Sequence, residues 1–160
     1  MKQITICIIV LLLIIALSCN KNNKNTDSAY FSCYINGQYF EPEKQKGLGE
    51  YPVTAKLLYD GIDLRIDVSK GVQNVYIGIK DTNKVKTQQY ILSNNMGYFS
   101  RAMYYPTISA NHYETDSIFM GIATISLLDT KNRVVQGTFH FDAFSPPLND
   151  TVHITNGKFK

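Results

Sequence analysis

Two histidines and a carboxylate near the C-terminal end offer the most direct chemistry: His140, Asp142 and His153. If the runs Val134–Phe144 and Thr151–Thr155 pair across Ser145–Asp150 with Phe144 opposite Thr151, Asp142 falls opposite His153 and His140 projects from the same face. Such a trio could hold zinc with one position vacant, as a hydrolase-like enzyme requires. The same spacing also describes a polar ladder on the wet side of a hairpin. A second candidate is aromatic. Tyr98, Tyr104, Tyr105 and Tyr113 fall in one segment, and a tyrosine ring can stack on a sugar while its hydroxyl bonds at the rim. His112 lies in the same segment and reads as loop. G-x-S-x-G, H-E-x-x-H, a Walker loop and a cysteine pair at metal spacing are all missing from the sequence. No cofactor is implied.

Cysteine usage points elsewhere. The 160 residues hold three cysteines. Cys7 lies in the apolar run Ile4–Leu17, which follows a single cation, Lys2, and stops at Ser18-Cys19. As a helix this run reaches about 21 Å, against a hydrocarbon thickness of roughly 30 Å. Its length and flanks are those of a secretory signal. The end, Ala16-Leu17-Ser18-Cys19, resembles the lipobox of bacterial lipoproteins, which implies that Cys19 is acylated and becomes the first residue of the mature chain. Cys33 is then the one thiol left in an oxidising compartment, placed in a strand-like run where a small buried thiol is ordinary. The chain thus divides into a signal peptide at 1–18, a lipidated cysteine with a polar tether at 19–28, and a domain at 29–160.

Two acyl chains anchor a protein stably where one does not. The tether Asn20–Ser28, if flexible, spans roughly 15–18 Å, so the domain stays near the headgroups. Ser28, in Asp27-Ser28-Ala29, fits an Asp-Ser/Thr-apolar O-glycosylation signal. The formal charge is only +3, too little for a polyanion-binding surface, and no nucleic-acid partner is expected.

The elements that must position these residues are strands. Hydrophobic residues make up 44% of the chain and charged residues 18%, with 11 tyrosines, 8 phenylalanines and no tryptophan. That excludes disordered and collagen-like chains. Ile62, Leu64, Ile66 and Val68 alternate with Asp63, Arg65 and Asp67, the pattern of a half-buried antiparallel strand. Asp60-Gly61 joins it to Thr54–Tyr59 as a hairpin, and Asn36-Gly37 joins Tyr30–Ile35 to Gln38–Phe40. Val75, Ile77 and Ile79 mark another strand. Ser117–Leu128 is apolar on both faces and is expected to be central and covered. Val134–Phe144 and Thr151–Thr155 follow, with Asn156–Phe159 as a tip. The long segments Glu41–Glu50 and Ser93–Tyr113 are irregular, apart from a strand expected within Tyr98–Tyr105. About eight strands result, the signature of a single antiparallel β-sandwich, with a closed or partly open β-barrel as the alternative.

The ends of the chain carry a family resemblance. Phe31–Phe40, and above all Gln136-Gly137-Thr138-Phe139-His140-Phe141 followed by Ile154-Thr155-Asn156-Gly157-Lys158-Phe159, resemble a family of small uncharacterised lipoproteins of the Bacteroidota with closing Gly-Thr-Phe-x-Phe and Ile-Thr-x-Gly-x-Phe patterns. The resemblance implies address and fold, and carries no catalytic residue. Surface-exported lipoproteins of that group often carry acidic residues after the cysteine. Lys21 and Lys24 here imply retention on the outer membrane facing the periplasm. The expected role is a non-enzymatic, lipid-anchored envelope module that meets the membrane through its N-terminal lipid and binds a protein or a glycan. A metal-dependent enzyme at His140, Asp142 and His153, and a purely structural envelope component, are the alternatives.

Overall fold

The computed structural model describes residues 29–43, 52–95, 100–108 and 111–160. Cys19, Ser28, Tyr98 and most of Glu41–Glu50 lie outside them. The described residues form eleven strands: β1 (Phe31–Ile35), β2 (Gln38–Phe40), β3 (Val53–Leu58), β4 (Asp63–Lys70), β5 (Gln73–Lys80), β6 (Gln89–Leu92), β7 (Arg101–Tyr105), β8 (Tyr113–Glu114), β9 (Gly121–Asp129), β10 (Val134–Ser145) and β11 (Asp150–Phe159). All belong to one antiparallel sheet, ordered β2-β1-β11-β10-β8-β7-β5-β4-β3, with β9 paired to β10 and β6 to β9. The sheet curls into a half-barrel around one core.

The spine is β10. Its burial alternates strictly: Val135, Gly137, Phe139, Phe141 and Ala143 face inward, and Thr138, His140 and Asp142 face out. Along one edge β10 pairs with β11. The other edge is shared, β9 taking Val134–Phe141 and β8 taking Phe144. The sheet therefore branches here. The core draws Ile66, Val68, Val75, Ile77 and Ile79 from the β4–β5 hairpin, and Phe31, Phe139, Phe141, Ile154 and Phe159 from β1, β10 and β11.

Tight contacts explain the two C-terminal motifs. Gly137 stands opposite Phe159, and Phe139 opposite Gly157. A Cβ on Gly157 would lie 2.4 Å from Phe139 Cε1, and one on Gly137 would lie 2.5 Å from Phe159 Cζ and 2.1 Å from the Thr124 carbonyl oxygen. Each glycine thus leaves room for the ring across the strand pair, and the rings of Phe31, Phe139 and Phe159 pack together above them.

The all-β antiparallel class is the one expected, and the curled sheet answers to its partly open barrel form rather than to a sandwich. Details differ. Eleven strands replace about eight, because β6 and β8 are too short to announce themselves. The strand expected over Ser117–Leu128 starts only at Gly121. Asp116 Oδ1 accepts hydrogen bonds from the Ile118 and Phe119 amides, each 2.7 Å, and holds the preceding residues in a turn. Nor is this stretch covered on both faces, since Met120 and Leu127 remain exposed. The turn of the β3–β4 hairpin runs through Tyr59–Ile62, with positive φ at Tyr59, Asp60 and Gly61. Asn156-Gly157 is a bulge within β11, Asn156 adopting φ 53°, so that the strand continues to Phe159. The strand expected within Tyr98–Tyr105 is β7.

Candidate functional site

The expected register at the C-terminal hairpin is the one observed: Phe144 pairs with Thr151 and Asp142 with His153. His153 Nδ1 and Asp142 Oδ1 lie 2.7 Å apart, both side chains largely exposed. His140 does not join them. The β11 bulge places Thr155 and Asn156 opposite it, and His140 faces solvent on the same side without bonding to the pair. Among the described residues no group of three or more His, Cys, Asp or Glu is arranged to hold a metal ion. The zinc arrangement at His140, Asp142 and His153 is therefore set aside.

The tyrosines separate by phase along their strands. Tyr104 and Tyr113 point into the core, 5% and 9% exposed, so neither can serve as a contact surface. Tyr104 Oη accepts from Gln73 Nε2, and Tyr113 Oη donates to Asp150. Tyr105, one residue out of phase, faces outward. His112 lies in the loop before β8, as expected, but it has neighbours. It stacks on Tyr105 with ring centroids 5.1 Å apart and lies 3.7 Å from a Glu114 oxygen. Cys33 is fully buried, and desolvation pushes its thiol up to about 12, which removes it as a nucleophile.

Tyr105 borders the feature the sequence did not disclose, a groove of about 830 Å³ on the outer face of β4, β5 and β7. The pairing of the three strands stacks its residues in rows. Arg65, Gly78 and Arg101 form one row, Asp67, Tyr76 and Met103 the next, and Asp63 stands opposite Lys80. Because Gly78 has no side chain, Tyr76 leans across it, its hydroxyl 2.7 Å from where a Cβ would be. The ring thereby fills the space between two guanidiniums, Arg101 lying 6.0 Å from its centroid. Burial raises the Tyr76 pKa, and Arg65 and Arg101 pull it back.

The polar side chains are held in place before any ligand arrives. Arg65 donates to Asp63 Oδ2 from Nε at 3.2 Å and from Nη2 at 2.9 Å, and this bonding raises the arginine's own pKa. Arg101 donates to Glu114 at 3.1 Å, and the same oxygen accepts from Asn94. Asn74 bridges Asp67 and Ser69. The signal for these residues was present in the sequence: Asp63, Arg65 and Asp67 share one phase of β4. An outward ionic row is usually only a solvated face, and the curl of the sheet that makes it a groove has no local sequence mark.

Fold and site together define a curled antiparallel β domain with an open groove, polar and aromatic, on its outer face. Residues 52–160 match the family described as a domain of unknown function, DUF6252, and the chain belongs to that family. The match contains both C-terminal motifs and every strand of the groove. No curated protein and no solved structure matches the chain.

Proposed function

We propose that this protein is a non-enzymatic module of the cell envelope, tethered through lipid on Cys19 on the periplasmic side of the outer membrane, which binds a glycan in the β4–β5–β7 groove. One observation carries the reading. The outer face of a sheet, ordinarily convex and solvated, is here a groove that combines outward tyrosine rings with carboxylate, guanidinium and amide groups already fixed by hydrogen bonds. Rings supply an apolar platform for the C–H face of a sugar, and fixed donor–acceptor pairs suit hydroxyl groups, which both give and accept. Order present before binding lowers the entropy lost on binding. The His153–Asp142 pair is largely exposed and lies outside this groove.

The test is a glycan array probed with the mature full-length chain, followed by calorimetry on the best hit. Tyr105→Ala and Tyr76→Ala each weaken binding at least 10-fold. Failure to retain any glycan, together with recovery of one stoichiometric protein partner from envelope extracts, would replace the glycan with a protein. Intact-mass analysis with and without globomycin tests the anchor separately. A product still carrying its leader, or lacking acyl mass, removes the membrane placement and leaves the groove unaffected.

A further inference from the structure

The outward face of β1 and β2 carries a cluster of rings that the groove does not use. Among the described residues Tyr30, Tyr34, Tyr39 and Tyr59 are the exposed tyrosines, and the first three lie together. Strand phase puts them there. Phe31, Cys33 and Phe40 fill the core, so their neighbours Tyr30, Tyr34 and Tyr39 turn outward. Tyr34 stands opposite Tyr39, with ring centroids 5.5 Å apart in an edge-on arrangement. Tyr30 shares a hydrogen bond of 2.7 Å with Ser32, which faces the same way yet is only 5% exposed. The Tyr39 hydroxyl is close enough to feel both. The three rings thus make one patch with a covered serine at its centre.

Clustered exposed rings mark a contact surface where single ones do not. Chain length says which surface. Tyr30 stands eleven residues after Cys19, and eleven peptide steps reach at most roughly 40 Å. The start of β1 is hence the part of the fold held closest to whatever holds Cys19. Tyrosine suits a bilayer interface, because its ring enters the acyl boundary while its hydroxyl stays among the headgroups. Lys158 stands opposite Ser32 on β11, exposed and beside the rings, in position to meet lipid phosphate. Glu41 accepts from the Tyr39 hydroxyl at 3.1 Å at the border of the patch. We infer that Tyr30, Tyr34 and Tyr39 form a membrane-facing patch, seated in the headgroup layer of the bilayer that holds the N-terminal lipid, so that the domain docks on the membrane instead of swinging from it. The inference rests on the anchor at Cys19 and adds an orientation, with β1 and β2 toward the lipid.

The chain has no tryptophan, so a single one reports alone. Tyr39→Trp and, in the groove, Tyr105→Trp are made in the acylated mature chain and placed in vesicles of phosphatidylethanolamine and phosphatidylglycerol with brominated acyl chains. Tyr39→Trp is expected to lose at least half of its emission relative to unbrominated vesicles, and Tyr105→Trp less than a tenth. Adding Tyr30→Ser and Tyr34→Ser should remove most of the quenching of Tyr39→Trp while the protein still floats with the vesicles. An unquenched Tyr39→Trp in protein that floats, or equal quenching at both positions, overturns the patch and leaves the anchor standing. Protein that lacks acyl mass and stays in solution overturns the anchor and the patch with it. Should the serine variant fail to fold, amide hydrogen exchange separates the same alternatives, comparing the acylated chain on vesicles with Cys19→Ala in solution: exchange at least 5-fold slower over β1 and β2 and unchanged over β4 and β5 supports the patch, and no difference refutes it.

Discussion

Two places in this molecule lay an aromatic ring over a glycine, and they face opposite ways. Inside, Phe159 covers Gly137 and Phe139 covers Gly157 across the β10–β11 pair. Outside, Tyr76 covers Gly78 on its own strand, between Arg65 and Arg101. The geometry is similar and the surroundings differ. The inner rings meet other rings and backbone and are buried. The outer ring meets guanidiniums and open space. The same packing device builds rigidity on one face of the sheet and a ligand platform on the other.

Breaking the inner half has the largest effect. Phe139→Ala removes a ring in contact with Phe31, Phe141 and Phe159 and should lower stability by about 3–5 kcal/mol in urea unfolding. Gly137→Ala forces a Cβ against the Thr124 carbonyl oxygen, which cannot step aside, and should lower stability by about 1–3 kcal/mol.

Alkaline pH attacks the same interior through Cys33. Its thiol is raised in the folded state from 9.0 to about 12. Above pH 9 the unfolded chain therefore loses this proton while the folded chain keeps it. The contribution to stability is complete below pH 9 and is lost as the pH climbs toward 12. Urea midpoints measured at successive pH values should fall over that window, and Cys33→Ala should flatten the decline. Below pH 9 the native thiol should stay inert to alkylating reagents.

Gly78→Ala sharpens the contrast. The nearest atoms its Cβ would meet belong to the far end of the Tyr76 side chain, and alanine loses less backbone entropy on folding than glycine. Stability should change by no more than about 0.5 kcal/mol, while the displaced ring costs at least tenfold in sugar affinity. A large loss of stability at this site would erase the distinction between the two faces. Asp142→Asn should have the smallest effect, with no measurable shift in the urea midpoint, since exposed pairs contribute little.

What could be read from the sequence was whatever depends on phase. Alternation in Ile62–Val68 and in Val134–Phe144 assigns inward and outward residues without knowledge of the sheet. Asn36-Gly37 behaves as its residue types demand, with φ of 49° and 80°. The pairing of Asp142 with His153 followed once Phe144 was set opposite Thr151, and that register is the one observed. Three kinds of feature stayed hidden. A strand of two residues such as β8 carries no periodicity, and a turn such as Asp116–Phe119 looks apolar until its aspartate is seen to cap it. Curvature depends on bulges and on the branching at β10, so an outward row of charges could not be known as a groove. The tyrosine segment illustrates both outcomes: Tyr104 and Tyr105 differ by one position, and one is core while the other borders the groove.

The pairing of β1 with β11 has a consequence for how the domain is made. Tyr30 and Lys160 exchange both backbone hydrogen bonds, at 2.9 and 2.8 Å, so the earliest strand of the sheet docks on the latest. While a ribosome is still adding residues, β1 has no long partner and β10 has one vacant edge. Contacts this distant along a chain are slow to form. Pairing of β1 with β11 therefore waits until both are made, whereas the β3–β4 and β4–β5 hairpins draw only on neighbouring residues.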